Sequence, residues 1–303
     1  MPEDSHTIEL DYGLLQKLEP VAASLYERHL GMASLWIPSD HIPWERLKDH
    51  DPRDEWSEEI LPIAKSIRSS LFVNLLTEDN LPYYSRDVEA MTGRYGIWER
   101  WAHKWTSEEG RHSIILRDYV IVSGALDPHD LEIARLQQVE NAEVPRPLNT
   151  LDGIAYVVFQ ELATRVAHHQ TGRHLRSVDE AGYEVMKLVG NDENLHYMFY
   201  RDLFAEALKI DQQACMESIN RVLRSFKMPG TGIPDFETHS ELIAKSGIYG
   251  YTEFYNNVVV PTLRNWKIDL EKPPHKGLER YLGVLRRAVI KEKLERQKFA
   301  LAS

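Results

Sequence analysis

Two short segments of this 303-residue chain repeat one pattern of residues that can bind metal. Each segment holds two acids, two spacer residues and a histidine: Glu108-Glu109-Gly110-Arg111-His112 and Asp192-Glu193-Asn194-Leu195-His196. On a helix, a glutamate and a histidine three residues later lie on one face, about 4.5 Å apart along the axis, so both can reach one ion. A chain with 13 histidines would show roughly one such spacing by chance, so the spacing alone decides little.

Each of these two segments, called the first and second box below, is preceded by a further glutamate at a similar distance. Glu78 lies 31 residues before the second acid of the first box, and Glu161 lies 32 residues before that of the second. If each pair sits at one height on antiparallel helices, the chain must reverse midway, because the rise per residue is the same in both directions. Met91-Thr92-Gly93 and Ser177-Val178-Asp179-Glu180 mark these midpoints, the latter as a capping box that begins a helix. Four helices are therefore predicted to converge.

Two single glutamates and two Glu-x-x-His boxes form the ligand set of carboxylate-bridged di-iron and di-manganese bundles. Four carboxylates balance two divalent ions, whereas without metal they would repel one another and take up protons. Oxygen ligands with one imidazole per ion favour iron or manganese over zinc. The predicted ligands are Glu78, Glu109, His112, Glu161, Glu193 and His196.

The rest of the sequence predicts an all-α protein. Helical periodicity runs from about Leu10 to the C-terminus, and no long segment alternates with period two. The candidate ligands span residues 78–196, so we expect one domain, 1–303, of about ten helices. Residues 1–54 would form an N-terminal helix and a Pro-rich segment, and residues 261–303 a basic C-terminal segment.

Charge and hydropathy exclude several classes of function. The net charge of −11 argues against general nucleic-acid binding. Residues 261–303 nevertheless hold 11 Lys or Arg against 5 acids, which indicates either a docking surface for an acidic partner or a solvated helix end.

No apolar run approaches the roughly 18 residues of a membrane span, and the acidic start resembles no signal peptide, so a cytoplasmic protein is expected. The single Cys215 excludes an intrachain disulfide and is expected to be inert packing.

The boxes and their flanks resemble the soluble acyl-acyl-carrier-protein desaturases of the stearoyl Δ9 type, in particular their actinobacterial branch. The resemblance covers most of the chain. It rests on Trp36-Ile-Pro-Ser-Asp40, Thr77-Glu-Asp-Asn-Leu-Pro82, the run from Trp98 to His112, Phe159-Gln-Glu-Leu-Ala-Thr164, Asp192-Glu-Asn-Leu-His196 and Trp266-Lys267.

The resemblance implies a ferritin-like di-iron four-helix bundle extended by additional helices. It also implies an O2-dependent reaction that forms a cis double bond in an acyl chain on acyl carrier protein, with two electrons from ferredoxin, in a homodimer. Glu109 and Glu193 would bridge the irons. Glu78 with His112, and Glu161 with His196, would be the terminal ligands of the two ions.

The same resemblance implies roles for several residues around the ligands. Thr164 would lie on the oxygen-binding side, with Thr77 as its counterpart. Trp36, Arg111 and Asp192 would link a ligand histidine to the surface as an electron route, since orienting a ligand imidazole is a common task of its neighbours. Related sequences commonly have Lys-Arg where this chain has Asn194-Leu195, so the pairing there is expected to differ. The C-terminal region is also shorter than in plant members.

An acyl chain beside the metals would need an apolar tunnel. Gly153, two helical turns before Glu161, would leave room for it, or else would serve tight helix packing. Trp98, Trp101 and Trp105 form a stripe that could line the tunnel, with Trp105 the candidate, although such stripes more often belong to a core.

For other residues near the boxes the sequence predicts only a general location. His168 and His169 have no glutamate partner of the box type and are expected at the surface or next to ligands. Arg173, His174 and Arg176 are expected as a solvated cluster in a turn.

Three functional classes stay open from the sequence. The first is the acyl-carrier-protein desaturase. The second is another di-iron oxidase or oxygenase on the same bundle, distinguished by oxygen entering the product. The third is a desaturase paralogue that binds iron or acyl carrier without turnover.

Overall fold

The computed structural model describes residues 8–141, 146–228, 230 and 232–302, and these are mostly helical. Over those ranges the β-type contact is a single isolated bridge, Glu9 to Asn149, so the all-α prediction is confirmed. The helices are α1 Tyr12–Met32, α2 Lys65–Glu78, α3 Leu81–Thr92, α4 Gly96–Val122, α5 Pro128–Asn141, α6 Thr150–Leu175, α7 Glu180–Ile210, α8 Gln212–Ser225, α9 Phe236–Ser246, α10 Tyr251–Glu253, α11 Val260–Asn265 and α12 Lys276–Ala302. Short 3-10 turns (Pro38–His41, Trp44–Lys48) follow α1, and a π-helical turn (Phe254–Val259) joins α10 to α11.

Four of these helices, α2, α4, α6 and α7, carry the predicted ligands. α6 packs along α7 more extensively than any other described pair, and α2 contacts both α4 and α6. Local signals begin the long helices: the Asn149 side chain accepts the backbone N–H of Asp152 at the start of α6. The four segments form the bundle that the sequence predicts.

The first reversal lies where the spacing predicts it. α3 ends at Thr92, and Gly93 and Gly96 both have positive φ (82° and 58°), which suits glycine in a tight connection. The helix that carries Glu78 is not continuous to this turn, however. It stops at Glu78 and resumes at Leu81, because Pro82 sits in the first turn of α3, where its missing N–H costs nothing.

The second reversal differs in detail from its prediction. The cap of α7 is Asp179, whose side chain accepts the N–H of Ala181, so the expected capping box starting at Ser177 is wrong by two residues. Asp179 also accepts two hydrogen bonds from Arg46, both 2.7 Å, and one from the Tyr119 hydroxyl, 3.0 Å. These partners from other elements favour Asp179 as the cap.

Of the basic cluster that was predicted to lie in a turn before this reversal, only Arg176 does so. Arg173 and His174 are exposed but lie in the last turn of α6, and Arg176 is its C-cap. A basic last turn suits the partial negative charge of a helix C-terminus.

The core is rich in aromatic side chains. Trp98, Trp101, Phe199 and Tyr200 are buried, and the rings of Trp101 and Phe199 stack at 3.6 Å. α1 packs against α7 and α4, which brings the N-terminal helix onto the bundle. No described helix combines the length and apolar character that crossing a bilayer requires.

At the C-terminal end, α12 packs on α8, α9 and α10. Arg296 is not a free cation of a docking surface, since it makes two hydrogen bonds, 2.8 and 2.6 Å, to Glu253. Lys291 and Lys293 are exposed, although the Lys291 ammonium lies 3.7 Å from the Glu295 carboxylate.

Candidate metal centre

The six predicted ligands converge at the centre of the bundle, and all are buried. Their donor atoms fall into two groups of four, each with every atom within 4.8 Å of the others. Both groups contain Glu109 and Glu193. The first adds Glu78 and His112, and the second Glu161 and His196. Two adjacent ion positions that share two carboxylates follow from this arrangement.

His112 presents Nδ1 to the first group. That atom lies 3.3 Å from Glu109 Oε2, 3.3 Å from Glu193 Oε1 and 3.6 Å from Glu78 Oε2. His112 is fully buried on α4, one helical turn after Glu109, so helix geometry places both donors on one side of the site.

His196 presents Nδ1 to the second group in the same way. It lies 2.8 Å from Glu109 Oε1 and 3.6 Å from Glu161 Oε2. The indole of Trp105 donates to the other oxygen of Glu161 at 2.9 Å, which fixes that carboxylate.

Several of these buried atoms have no hydrogen-bond partner, although other donor atoms lie close to them. They include His112 Nδ1, His196 Nδ1, Glu109 Oε1 and Glu161 Oε2. Buried polar atoms are almost always paired, so a cluster of orphans needs an explanation. Two donors that bind one ion at about 2.1 Å and at right angles are about 3 Å apart, which fits the 2.8 Å between His196 Nδ1 and Glu109 Oε1. The residues therefore fit a pair of metal ions.

The electrostatics of the cluster lead to the same conclusion. Burial alone would lower the pKa of His112 and His196, but the surrounding carboxylates raise it well above the usual range. Burial and the neighbouring Glu193 carboxylate raise the pKa of Glu161 strongly. Burial would also raise the pKa of Glu78 and Glu193, but hydrogen bonds from neighbouring histidines lower it. Positive charge on His112 and His196 thus compensates the packed carboxylates, and two divalent cations would supply that charge in its place.

The side of His112 away from the carboxylates faces Trp36, Arg111 and Asp192. Asp192 Oδ2 lies 3.5 Å from His112 Nε2 and accepts hydrogen bonds from the Trp36 indole, 3.0 Å, and Arg111, 2.8 Å. The Trp36 ring is parallel to the His112 ring, with centroids 6.4 Å apart, and Arg111 covers the indole at 4.5 Å. The structure brings together the three residues expected as an electron route.

A corresponding group of residues lies on the outer side of His196, and the sequence did not lead us to predict it. Its Nε2 lies 3.1 Å from Glu108 Oε2, which is also 2.8 Å from His29 Nε2. Lys104 binds the other oxygen of Glu108 at 2.8 Å. Burial would raise the pKa of Glu108, but the hydrogen bonds from His196 and His29 hold it well below the usual range. The doubled acid of each box was the available signal, because Glu108 and Asp192 occupy the same position.

His168 is a buried neighbour of the site, whereas His169 is only partly buried. The Nε2 atom of His168 lies 3.0 Å from Glu78 Oε1, while Glu78 Oε2 faces His112. The prediction that allowed His168 a place beside a ligand is therefore supported by this contact. Burial and the nearby Arg165 lower the pKa of His169 to about 4.

Thr164 and Thr77 line one cavity of about 90 Å³ next to Glu78. The Thr164 hydroxyl donates to Glu193 Oε2 at 2.9 Å and also lies within hydrogen-bonding distance of backbone carbonyls of α6. Thr77 is 6% exposed and its carbonyl accepts from Tyr84. The cavity lining is mostly apolar, with contributions from α2, α6 and α9.

A second cavity, about 30 Å³, lies beyond Trp105 and is lined by both Gly153 and Met91. A Cβ at Gly153 would lie 2.5 Å from Met91 Sδ and 3.0 Å from Met91 Cβ. Both readings of Gly153 therefore apply, since it packs tightly and borders a cavity. All three tryptophans of the stripe belong to the core, and Trp105 also borders the cavity.

This chain is similar to known proteins in both sequence and fold. The family model described as fatty acid desaturase matches residues 11–290. The chain is 36% identical over 268 residues to a Mycobacterium tuberculosis protein named as acyl-acyl-carrier-protein desaturase DesA1, covering 85% of this chain and 79% of that one. It is 25% identical to the chloroplastic stearoyl-acyl-carrier-protein 9-desaturase 4 of Arabidopsis thaliana, over 84% of this chain and 65% of that one. The crystal structure of DesA2 from M. tuberculosis H37Rv shares the fold, with a TM-score of 0.72 at 20% identity over 89% of this chain and 99% of that one.

Proposed function

This chain belongs to the fatty acid desaturase family, and from that premise we propose that it desaturates an acyl chain carried on acyl carrier protein. The reaction would be CH2–CH2 + O2 + 2 electrons + 2 protons to cis CH=CH + 2 H2O. The substrate loses two hydrogen atoms, that is, two protons and two electrons, which pass to O2. Ferredoxin supplies the other two electrons that full reduction of O2 requires.

One observation supports the proposal more than any other. Two four-donor groups share Glu109 and Glu193, and a mostly apolar cavity bordered by Thr164 adjoins them at Glu78. Abstraction of hydrogen from an unactivated carbon chain needs a potent oxidant that is held next to an apolar channel. A metal pair beside such a cavity meets both needs.

We propose that the six converging side chains are the metal ligands and that the metal is iron, with manganese able to occupy the same donors in purified protein. Two iron ions held there would supply O2 activation and the oxidising power for C–H cleavage. Oxygen donors with a single imidazole for each ion suit both metals. Glu109 and Glu193 would bridge, since each contributes to both groups.

The residues of the chain itself would orient the substrate and exclude water. The two cavities together are far smaller than the roughly 300 Å³ of a typical ligand pocket, so an acyl chain must displace side chains to enter. Met91, a flexible side chain that packs on Gly153 and lines the smaller cavity with it, is suited to this movement. Thr164, hydrogen-bonded to Glu193, holds one bridging carboxylate at the cavity wall.

For electron entry we propose the route through Trp36, Asp192 and His112, with ferredoxin as the donor. Trp36 is 7% exposed, and Arg111, which covers it, reaches solvent. The continuous contacts from the indole through Asp192 to the ligand imidazole support this path.

We also propose a homodimer in the cytoplasm. Ile114 on α4 and Ile133 and Leu136 on α5 are 45–52% exposed, and an Arg117–Glu132 ion pair joins the two helices. Exposed apolar side chains on neighbouring helices favour a protein interface. A single buried cysteine fits a reducing compartment.

The test is the mass of the acyl product after iron-loaded protein is incubated with C16 and C18 acyl carrier protein, reduced ferredoxin and O2. Loss of two hydrogens is expected, and fragmentation then gives the double-bond position. Gain of one oxygen would instead assign an oxygenase. An unchanged acyl chain on protein with two bound irons would contradict the proposal and favour a paralogue without turnover.

A further inference from the structure

An acid lies behind each ligand histidine. The two acids occupy the same position in their boxes, but the residues that neutralise them differ. Asp192 from the second box lies behind His112 of the first, and Glu108 from the first box lies behind His196 of the second. Asp192 receives its positive charge from Arg111, the residue just before His112. The matching residue of the second box is Leu195, which has no charge to give Glu108.

Lys104 supplies the missing charge. Its ammonium lies 2.8 Å from Glu108 Oε1, one helical turn earlier on α4, and its side chain is 29% exposed. Arg111 is 3.8 Å from the same oxygen and already binds Asp192 at 2.8 Å. Lys104 is therefore the main cation for Glu108.

His29 supplies the second hydrogen bond to Glu108. It lies in the last turn of α1, is 3% exposed, and stacks on His196 with ring centroids 5.8 Å apart. An ionised carboxylate can only accept, so His29 and His196 both donate to Glu108 Oε2. When His196 is neutral, as a metal ligand must be, donation from Nε2 leaves the lone pair on Nδ1, the atom that faces Glu109 and Glu161.

We infer that His29, Glu108 and Lys104 form a positioning unit that fixes the tautomer and ring orientation of His196 for metal binding. The inference rests on the proposed function in one respect, that His196 is a metal ligand. Because Lys104 and His29 replace the arginine and tryptophan used behind His112, the two metal positions have unequal supports. Loss of the unit should weaken one ion and spare the other.

A third metal ion among His29, Glu108 and His196 is the competing explanation, since their donor atoms also lie within 4.8 Å of one another. The positive charge of Lys104, in direct contact with Glu108, opposes a cation there. The hydrogen-bond distances of 2.8 and 3.1 Å also need no ion to explain them.

The experiment is an anaerobic titration of metal-free protein with Co²⁺, followed by visible absorption and calorimetry. The wild type is expected to bind two ions. Glu108→Gln, His29→Phe and Lys104→Met should each keep one ion at wild-type affinity and bind the other about 10- to 100-fold more weakly, the usual effect of removing a partner of a ligand histidine. A general structural role would instead weaken both ions together.

Two further variants sharpen the test. Lys187→Met removes a lysine from an exposed ion pair with Glu184 on α7 and should leave both affinities unchanged. Lys104→Met with Leu195→Arg places a guanidinium at the position equivalent to Arg111 and should restore the weakened ion. Failure of this rescue would contradict the equivalence of Lys104 and Arg111.

The outcomes separate the inference from the proposed function. Wild type that binds fewer than two ions would contradict the metal centre itself. Wild type with two ions and unchanged Glu108→Gln, His29→Phe and Lys104→Met affinities would overturn the positioning unit alone. Three ions in wild type and two in Glu108→Gln would replace it with the third metal site.

Discussion

Glu108 and Asp192 occupy the same position in their two boxes, and each contacts the histidine of the other box, Glu108 at 3.1 Å and Asp192 at 3.5 Å. The acids behind the two proposed metal positions are thus exchanged between α4 and α7. A displacement of either helix would disturb one set of ligands directly and the opposite histidine through its acid. The centre consequently depends on the relative placement of these two helices as much as on each box.

Removal of a ligand should remove metal. His196→Ala deletes a donor of one group and should leave one ion per chain. Glu109→Ala deletes a donor common to both groups and should lower iron content at least as far, with loss of turnover in both variants. The measurement is iron per chain by mass spectrometry. Glu99→Gln, an exposed glutamate at the start of α4, is the matched control. Normal iron content in both ligand variants would show that these residues are not ligands.

Removal of metal should lower stability. Ions that bind only the folded chain stabilise it by about 2.7 kcal/mol each at a hundredfold excess over Kd, so stripping two should lower Tm by several degrees. Thermal unfolding with and without added Fe²⁺ under anaerobic conditions measures the shift. His196→Ala should show a smaller shift than wild type, and an equal shift would place the stabilising ions elsewhere.

A methyl group at Gly153 should affect both stability and chain-length preference. Gly153→Ala brings Cβ to 3.0 Å from Met91 Cβ, which requires backbone adjustment and should cost about 1–3 kcal/mol. If Met91 moves into the cavity, the ratio of C18 to C16 turnover should fall. Competition between the two acyl carriers and chemical denaturation measure these effects.

Controls separate the two roles of Gly153. Gly31→Ala, which meets no atom within 4 Å, should not destabilise the chain. Adding Met91→Ala to Gly153→Ala should recover the turnover ratio. Lost stability with an unchanged ratio would leave Gly153 as a packing residue only.

The sequence predicts the candidate ligands and the helices that carry them better than it predicts the ends of those helices. The nearly equal spacings of 31 and 32 residues from Glu78 and Glu161 to their boxes locate both reversals, because helical rise is a constant of the backbone. The break after Glu78 and the cap at Asp179 are local deviations. Pro82 signals the first, while the second depends on partners such as Arg46 from a distant turn.

The contacts behind the ligands depend on tertiary packing. His29 meets Glu108 across 79 residues because α1 docks on the bundle, and no local pattern encodes that docking. The same holds for His168 and Glu78, 90 residues apart. Leu195 in place of a second arginine signals a difference. The Lys104–Glu108 pair is a local contact one helical turn apart, but only the packing of α4 on α7 shows that Glu108 lies behind His196.

The thiol of Cys215 should be unreactive in the folded protein. It is 0% exposed, and burial raises its pKa to about 12, so almost no thiolate exists at pH 8. A disulfide reagent such as DTNB should react with the native chain orders of magnitude more slowly than with chain unfolded in guanidinium. Rapid, stoichiometric reaction of native protein would show that α8 opens readily.

Acid should destabilise the fold partly through His169. Burial, Arg165, His168 and Arg173 lower its pKa to about 4, and its ring packs on the backbone of α7 at Gly190. An unfolded histidine titrates near 6.5. Between these values the unfolded chain binds a proton that the folded chain does not. The free energy of unfolding is therefore at its full value above pH 6.5 and falls as pH drops toward 4, by about 1–2 kcal/mol once solvent screening of the partly exposed ring is allowed for.

The variant His169→Gln removes this contribution, so its free energy of unfolding should fall less steeply than that of wild type between pH 6.5 and 4. Denaturant curves at several pH values measure the difference, and other titrating groups cancel because they are common to both chains. His129→Gln, which removes a ring that is 84% exposed, controls for loss of an imidazole. Parallel pH curves for wild type and His169→Gln would show that the ring is hydrated in solution, because only a desolvated imidazole next to Arg165 would resist protonation.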